Sequence, residues 1–245
     1  MPSEARGTGA IVTGAAQGIG RAIADKLRAE GARVAVVDIN GERVASVASE
    51  LDGLGIHADI SSEGDANRMA RETIERYGKV DVLVNAAAIV PFVPWDEVDF
   101  AYWRKILSVD LDGAYLVSRA VEGPMREAGY GRIVQIASNA FLAGTPNMGP
   151  YLAAKGGVVG LTRALATELG KYGITANAVA PGITRTEGVL DTPHKDSFDF
   201  VQVLQAIPRH GVPEDIAPVV AFLASEEAAW ITGQVIVADA GHIRD

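Results

Sequence analysis

The sequence predicts an α/β protein whose doubly wound parallel sheet is covered by helices on both faces. Three observations indicate this class. Short apolar runs alternate with helical patterns along the whole chain, the run at 33–38 is continuously apolar between its ends, and glycines stand at many of the turns between them. Continuous apolar strands are typical of parallel sheets buried on both faces, and strand–helix alternation places the helices on those faces.

The first half of the chain contains four predicted strands. Residues 9–13 form the first strand and residues 19–30 the first helix, which Gly31 ends in the manner of a C-cap. The elements that follow are a strand at 33–38, a helix at about 42–51, a short strand near 56–58, a helix at about 63–77 and a strand at 81–85.

The second half contains three more predicted strands. An apolar, proline-containing loop at 89–95 precedes a long helix at about 99–127. The later elements are a strand at 132–137, a helix at 151–172, a strand at 174–179, a polar loop, a helix near 213–224 and a strand at 234–238. Because no linker, repeat or low-complexity tract interrupts the pattern, we predict one domain over residues 1–245. Ligands should bind at the carboxyl ends of its strands.

Composition excludes several functional classes. The 245 residues include no cysteine, which excludes disulfides, zinc–cysteine sites, iron–sulfur clusters and thiol nucleophiles. The four histidines, which stand singly without ligand-spaced partners, predict no metal site: His57, His194, His210 and His242. A net charge of −9 argues against nucleic-acid and anionic-membrane partners. The sequence has no apolar stretch of membrane-spanning length and no signal-peptide pattern at its start, so we expect a cytoplasmic protein.

Glycines follow the first strand in the spacing G-x-x-x-G-x-G, at Gly14, Gly18 and Gly20. A turn without Cβ atoms lets phosphates approach the backbone, and the next helix presents free N–H groups and a positive dipole end to them. The alternative is a tight strand–helix turn that needs glycine only for close packing.

Asp38 ends the second strand, where a carboxylate can accept hydrogen bonds from both ribose hydroxyls of an adenosine. The same charge would repel the 2′-phosphate of NADP. Gln17, Ile39 and Asn40 supply no cation for that phosphate, so the sequence predicts NAD. The alternative is an aspartate that merely caps a helix.

Tyr151 and Lys155 lie four residues apart, on one face of a predicted helix. A free tyrosine has a pKa of about 10, but a nearby ammonium and the nicotinamide charge of NAD⁺ favour the phenolate. Such a tyrosine can take the proton of an alcohol or return it to a carbonyl oxygen. Ser138, just past the fifth strand, could hydrogen-bond that oxygen. A tyrosine and a lysine at this spacing otherwise form an ordinary solvated helix face.

Taken together, these motifs resemble the short-chain dehydrogenase/reductase family over essentially the whole chain. The matching segments are 13–20, Asp38, Asp59, 85–88, Ser138, Tyr151 to Lys155 and 177–186. The resemblance implies a Rossmann-type sheet of about seven strands, often assembled as a homotetramer through long helices. It implies an NAD-dependent alcohol dehydrogenase or reductase acting on a small molecule.

The resemblance also assigns roles to residues. Tyr151 would be the acid/base, Ser138 would orient the substrate, and Lys155 would hold the nicotinamide ribose and lower the pKa of Tyr151. Asp59 and Ile60 would contact the adenine. The implied cofactor contacts are Gly14, Gln17, Gly18, Ile19, Gly20, Asp38, Asp59, Ile60, Asn85, Tyr151, Lys155, Pro181, Gly182, Ile183 and Thr186.

Two positions depart from the family pattern. Ala86 to Ala88 replace the usual N-A-G after the first asparagine, which suggests a different backbone path beside the cofactor ribose. Asp110 stands where an asparagine, the fourth catalytic residue, is usual. A carboxylate there would partly offset the effect of Lys155 on Tyr151, so we expect an active enzyme with a shifted pH optimum. The alternative is drift at a tolerant helix position.

Three segments should line the substrate pocket: 89–95, 139–150 and 188–210, with residues 187–210 as a lid. They are rich in apolar and aromatic residues, among which Phe141 and Met148 are the predicted substrate contacts beside Ser138 and Tyr151. The amino-acid sequences of these segments are similar to those of the family's pyridoxal 4-dehydrogenases and, more weakly, to those of its 1-phenylethanol dehydrogenases. We therefore expect an aromatic or hydrophobic alcohol or carbonyl substrate. The cations available for a charged substrate group are Arg185, His194, Lys195 and Arg209.

Two other functions remain open at this point. One is an NADPH-dependent ketoreductase, such as a 3-oxoacyl reductase. The other is a non-catalytic NAD(H)-binding sensor or scaffold.

Overall fold

The computed structural model describes residues 7–244. Across this range seven strands form one parallel sheet in the order β3-β2-β1-β4-β5-β6-β7. The strands are β1 Gly9–Thr13, β2 Arg33–Asp38, β3 Leu54–His57, β4 Val82–Asn85, β5 Gly131–Ile136, β6 Ile174–Pro181 and β7 Val235–Ala238. The predicted fold class is confirmed.

Helices cover both faces of this sheet. They are α1 Gly18–Ala29, α2 Gly41–Glu50, α3 Glu63–Tyr77, α4 Phe100–Leu107, α5 Gly113–Ala128, α6 Ala140–Ala143, α7 Gly149–Leu169, α8 Glu187–Leu190, α9 Phe198–Gln202 and α10 Pro213–Leu223. Side chains take part in starting α2, α3 and α4: the oxygens of Asn40, Ser62 and Asp99 each accept from a first-turn N–H. Gly31, predicted to end α1, has a φ of +99°.

Two apolar layers enclose the sheet, because successive strand residues point to opposite faces. In β1, Ala10 and Val12 pack with helices α1 and α10, whereas Ile11 packs with α3 and α5. β1, β4, β5 and β6 are buried at every position. This two-sided burial explains why strand segments such as 10–12 and 34–37 are apolar at successive positions and do not alternate with polar residues.

The predicted long helix at 99–127 contains an irregularity that the periodicity does not reveal. Between α4 and α5 the chain makes one π-helical turn, Ser108–Asp112, at the centre of which lies Asp110. A π turn widens the helix by one residue and often lies at a functional site. Here Oδ1 of Asp110 accepts a hydrogen bond from the N–H of Ile89, on the loop after β4.

The other differences lie at element ends. Helix α7 begins two residues before the predicted start, and its predicted last turn is a 3₁₀ turn, Gly170–Tyr172. The segment predicted as a polar loop after β6 contains α8, the 3₁₀ turn Pro193–Ser197 and α9. No helix within residues 7–244 is long and apolar enough to cross a membrane.

Candidate active site

A cavity of about 970 Å³ opens at the carboxyl edge of the sheet. It lies where strand order reverses, since β1 pairs with β2 on one side and β4 on the other. Most of the residues singled out from sequence line it: Gly14, Gln17, Gly18, Ile19, Gly20, Asp38, Asp59, Ile60, Ser138, Met148, Tyr151, Lys155, Pro181, Gly182, Ile183 and Thr186. The structure places Asn85, Asp110 and Phe141 outside the lining.

The glycine turn leaves space that a side chain would fill. Gly14 has a φ of +65°, and a Cβ atom there would lie 2.7 Å from the backbone nitrogen of Ala87. A Cβ on Gly20 would overlap the carbonyl oxygen of Gly14. Gln17 precedes α1 in an extended conformation, and its side chain does not cap the helix. The first N–H groups of α1 therefore face the cavity, and the turn fits a phosphate-bearing dinucleotide.

Asp38 is fixed at the opposite side of this turn. Its carboxylate accepts from the N–H groups of Ala16, at 3.1 Å, and Asn40, at 3.0 Å. The tertiary structure also brings in a cation that the sequence analysis did not consider, because the guanidinium of Arg43 donates to the side chain of Gln17. Arg43 lies in the first turn of α2, five positions beyond Asp38, so its approach to Gln17 is set by the fold.

Asn85 lies behind the cavity wall and supports it through hydrogen bonds. Its Oδ1 accepts from the Thr13 hydroxyl at 2.7 Å, and its Nδ2 donates to Gln135. The Thr13 oxygen in turn accepts from the N–H groups of Ala86 and Ala87. The lining is formed by Ala86 to Ala88, all at negative φ, so alanine is accommodated there without strain. Asn85 thus holds the wall in place, and its side chain points away from the predicted cofactor path.

Tyr151 and Lys155 occupy the first turns of α7, and both side chains are buried. The Lys155 Nζ lies 5.4 Å from the centre of the Tyr151 ring and donates to the carbonyl oxygen of Ile136 at 2.9 Å. Ser138 follows β5, where its hydroxyl accepts from the N–H of Ala140. The three predicted catalytic side chains therefore meet at one wall of the cavity.

Burial raises the pKa of Tyr151 above its usual value, the charge of Asp110 raises it further, and the Ser138 hydroxyl opposes both. The lowering of this pKa by the Lys155 ammonium together with the nicotinamide charge concerns the complex with cofactor and stays a prediction. The pKa of Lys155 is itself lowered by burial, and the charge of Asp110 opposes that shift. A phenol in these surroundings stays protonated at neutral pH.

Asp110 lies behind this group, and its side chain has no exposed surface. While Oδ1 accepts from Ile89, Oδ2 has no hydrogen-bond partner among residues 7–244 and lies 3.8 Å from the Lys155 Nζ. Burial raises the pKa of Asp110, and the charge of Lys155 and the N–H of Ile89 oppose that shift. Asp110 can therefore influence Tyr151 and Lys155 by charge without touching the cavity.

The predicted substrate segments contribute an apolar end to the cavity. Its apolar lining includes Phe92, Met148, Val189, Phe200 and Leu204. Phe141 packs instead against Ala137 and Val159, because α6 turns its ring away from the cavity. Of the four predicted cations, His194 is the one that lines the cavity in the described part of the chain. Lys105 and His242, which carry no motif signal, also line it.

The segment 187–210 lines part of the cavity, and two of its polar contacts involve other residues of the lining or their neighbours. The Nε2 of His194 lies 2.9 Å from the carbonyl oxygen of Pro91, and its ring stands edge-on to Phe92. At the other end, the carboxylate of Glu187 accepts from the N–H of Gly18 at 3.1 Å. Glu187 therefore occupies one of the donors that the glycine turn offers to an anion.

The geometry has counterparts among known proteins. Residues 14–242 match a family model described as enoyl-(acyl carrier protein) reductase. The (2S)-[(R)-hydroxy(phenyl)methyl]succinyl-CoA dehydrogenase subunit BbsD of Thauera aromatica is 40% identical over 232 residues, which cover 93% of each chain. The 2-dehydro-3-deoxy-L-rhamnonate dehydrogenase (NAD(+)) of Sphingomonas sp. (strain SKA58) is 36% identical, over 95% of this chain and 94% of its own.

A solved structure shares the whole fold. The crystal structure of levodione reductase superposes with a TM-score of 0.91 at 36% identity, and the match covers 96% of this chain and 97% of that one.

We expect Glu187→Gln to increase the affinity for NADH about two- to five-fold, because an uncharged side chain competes less with a pyrophosphate for the N-terminus of α1. A fluorescence titration with NADH measures this change. Asp191→Asn, at the other end of α8, removes a charge away from the turn and should leave the affinity unchanged. Equal or weaker binding by Glu187→Gln would show that the carboxylate does not compete with the cofactor.

Proposed function

The chain belongs to the short-chain dehydrogenase/reductase family of oxidoreductases, and we propose that it interconverts an alcohol and a carbonyl on an aromatic or hydrophobic small molecule, using NAD. The observation that carries this proposal is the meeting of Ser138, Tyr151 and Lys155 in a cavity continuous with the glycine turn and Asp38.

The chain's own residues perform the proton chemistry in this proposal. When bound, the nicotinamide ring supplies or removes the two electrons and the hydrogen of the redox step. The phenol oxygen of Tyr151 takes the proton of the alcohol, or returns it to the carbonyl oxygen. The Ser138 hydroxyl donates to the same substrate oxygen and stabilises charge that develops there. Lys155 holds the nicotinamide ribose beside them.

Asp38 supports NAD over NADP. Its two backbone hydrogen bonds hold the carboxylate at the cavity edge, where it can accept from the ribose hydroxyls and would repel a 2′-phosphate. The guanidinium of Arg43 would attract a 2′-phosphate, but it is exposed and already hydrogen-bonded to Gln17. The proposed preference for NAD rests on the carboxylate of Asp38, which two backbone hydrogen bonds fix in place.

The apolar end of the cavity supports an aromatic or hydrophobic substrate. The Thauera relative is named for a substrate whose hydroxyl-bearing carbon carries a phenyl group, which agrees with this lining. A second candidate, an NADPH-dependent ketoreductase on acyl thioesters, is favoured by the description of the matching family model and by Arg43. A binding protein without turnover is the third.

For the assembly we propose a homotetramer built through the long helices. Phe100 on α4 and Tyr115 on α5 are 76% and 52% exposed, which leaves aromatic surface for a neighbouring chain to cover. We also propose that residues 1–245 form one domain, with residues 187–210 as its lid.

We expect the wild-type enzyme, assayed up to alkaline pH, to reduce NAD⁺ with members of a panel of aromatic primary and secondary alcohols that includes pyridoxal. Tyr151→Phe should lower kcat about 10²- to 10⁴-fold, because the proton acceptor is lost, while NADH binding persists. The matched control is Tyr115→Phe, which changes an exposed phenol and should retain activity. NADH binding by the wild type without turnover of any panel member would favour the non-catalytic alternative.

We expect kcat/KM to be higher with NAD⁺ than with NADP⁺ in one spectrophotometric assay. Asp38→Asn should shift the ratio towards NADP⁺ by about ten-fold or more, because it removes the charge that repels the 2′-phosphate. The same change at the exposed Asp52, which pairs with Arg28 away from the turn, should not alter the ratio. A wild-type preference for NADP⁺ would favour the acyl-thioester ketoreductase.

We expect sedimentation equilibrium to give a species of four chains. Phe100→Asp and Tyr115→Asp should dissociate it, because each places a charge within the proposed contact. A monomeric wild type would contradict the assembly proposal and leave the catalytic one intact.

A further inference from the structure

Tyr151 shares its buried surroundings with two ionisable groups of opposite sign. The side chains of Lys155 and Asp110 are 3% and 0% exposed, and Nζ and Oδ2 are 3.8 Å apart. Each group has a backbone partner as well: Nζ donates to Ile136, and Oδ1 accepts from Ile89. Solvent therefore cannot screen either charge from the other or from Tyr151.

The pair has no net charge, whichever partner carries the shared proton. A lysine ammonium with an aspartate carboxylate sums to zero, and so does a neutral amine with a carboxylic acid. A second proton would leave one uncompensated buried positive charge, which burial disfavours strongly. Burial raises the pKa of Asp110 and lowers that of Lys155, and both shifts favour the neutral sum. The two groups titrate as a unit.

The pair of Lys155 and Asp110 presents no net positive charge to the phenol, and the other charged or titratable groups near it do not supply one. Tyr102 of α4 packs in the same apolar cluster as Tyr151, and burial raises its pKa too. Lys105 of α4 is exposed to solvent, so its charge is screened. His194, from the segment over the cavity, is hydrogen-bonded to the Pro91 carbonyl. On the π turn itself, Asp112 pairs with Arg104 at the surface.

We propose that Asp110 cancels the charge of Lys155 and so makes this a carbonyl-reducing site near neutral pH, with alcohol oxidation confined to alkaline pH. This inference rests on the proposed function, in which Tyr151 is the proton donor and acceptor. In reduction, the O–H bond of Tyr151 breaks and its proton passes to the substrate oxygen, while a hydride from the reduced cofactor, one hydrogen with its electron pair, adds to the carbonyl carbon. The phenolate then regains a proton from solvent. Oxidation reverses each of these transfers.

The direction of the expected pH shift follows from the protonation state of Tyr151 that oxidation and reduction each need. Oxidation needs the phenolate, so its rate rises with pH through the pKa of Tyr151. Reduction needs the phenol, so its rate falls through the same pKa. Asp110→Asn leaves Lys155 as a lone positive charge, which stabilises the phenolate. The rise of the oxidation rate and the fall of the reduction rate should therefore both occur at lower pH.

The first test compares kcat/KM for oxidation and for reduction as a function of pH. Asp110→Asn should shift both pH–rate profiles to lower pH by about one unit or more. The rate of alcohol oxidation near neutral pH should rise correspondingly. Asp112→Asn, two residues away on the same π turn but exposed, should leave both profiles in place. Asp110→Ser, which is also neutral, should shift the profiles in the same direction if the first variant folds poorly.

The second test does not need turnover. Ultraviolet difference titration of the NAD⁺ complex, with Tyr151→Phe subtracted, reports ionisation of this one phenol. Its midpoint should fall in Asp110→Asn, while NADH binding and thermal unfolding confirm that the variant is folded. If wild type and Asp110→Asn gave the same titration midpoint and the same pH–rate profiles, the proposed role of Asp110 would be wrong. A shifted midpoint in a protein that turns over no panel substrate would uphold that role and count against the proposed function alone.

Discussion

The parallel alignment of the strands is the constraint on which the rest of this molecule depends. Since every strand of the described sheet runs in the same direction, all carboxyl ends reach one edge, and the residues that follow them meet there. Gly14, Asp38 and Ser138 are far apart in the chain, yet each follows or ends a different strand and lines the same cavity. Two apolar layers hold this arrangement rigid, because β1, β4, β5 and β6 are covered on both faces.

The cavity has walls of two kinds. One is built on strands and on the first turns of α1 and α7, and its shape depends on hydrogen bonds such as the one from Thr13 to Asn85. The other is the segment 187–210, which contains short helical turns and touches the start of α1 through Glu187 and the loop after β4 through His194. Because the carboxylate of Glu187 accepts from the N–H of Gly18, a phosphate bound at the glycine turn as proposed would compete with this segment for that donor.

Burial gives the catalytic wall its electrostatic character. A phenol, an amine and a carboxyl group share a region without solvent, so each shifts the proton affinity of the others. In this triad the carboxylate of Asp110 lies 3.8 Å from the amine of Lys155, and burial and the charge of Asp110 together raise the pKa of Tyr151. This arrangement depends on the π turn, which directs Asp110 inward to Ile89.

The sequence by itself determined the fold class, the seven strands, the glycine turn, Asp38 at the end of the second strand and the i to i+4 spacing of Tyr151 and Lys155. These are local signals: apolar runs, glycine spacing and the i to i+4 rule of a helix depend on neighbours in the chain. Only the tertiary structure decided the contacts between distant segments. It brought Arg43 to Gln17 and Glu187 to Gly18, turned Asn85 and Phe141 away from the cavity, and set Asp110 3.8 Å from Lys155. Such contacts depend on how helices and loops pack across the sheet, and a pKa depends on burial, which no short pattern of residues records.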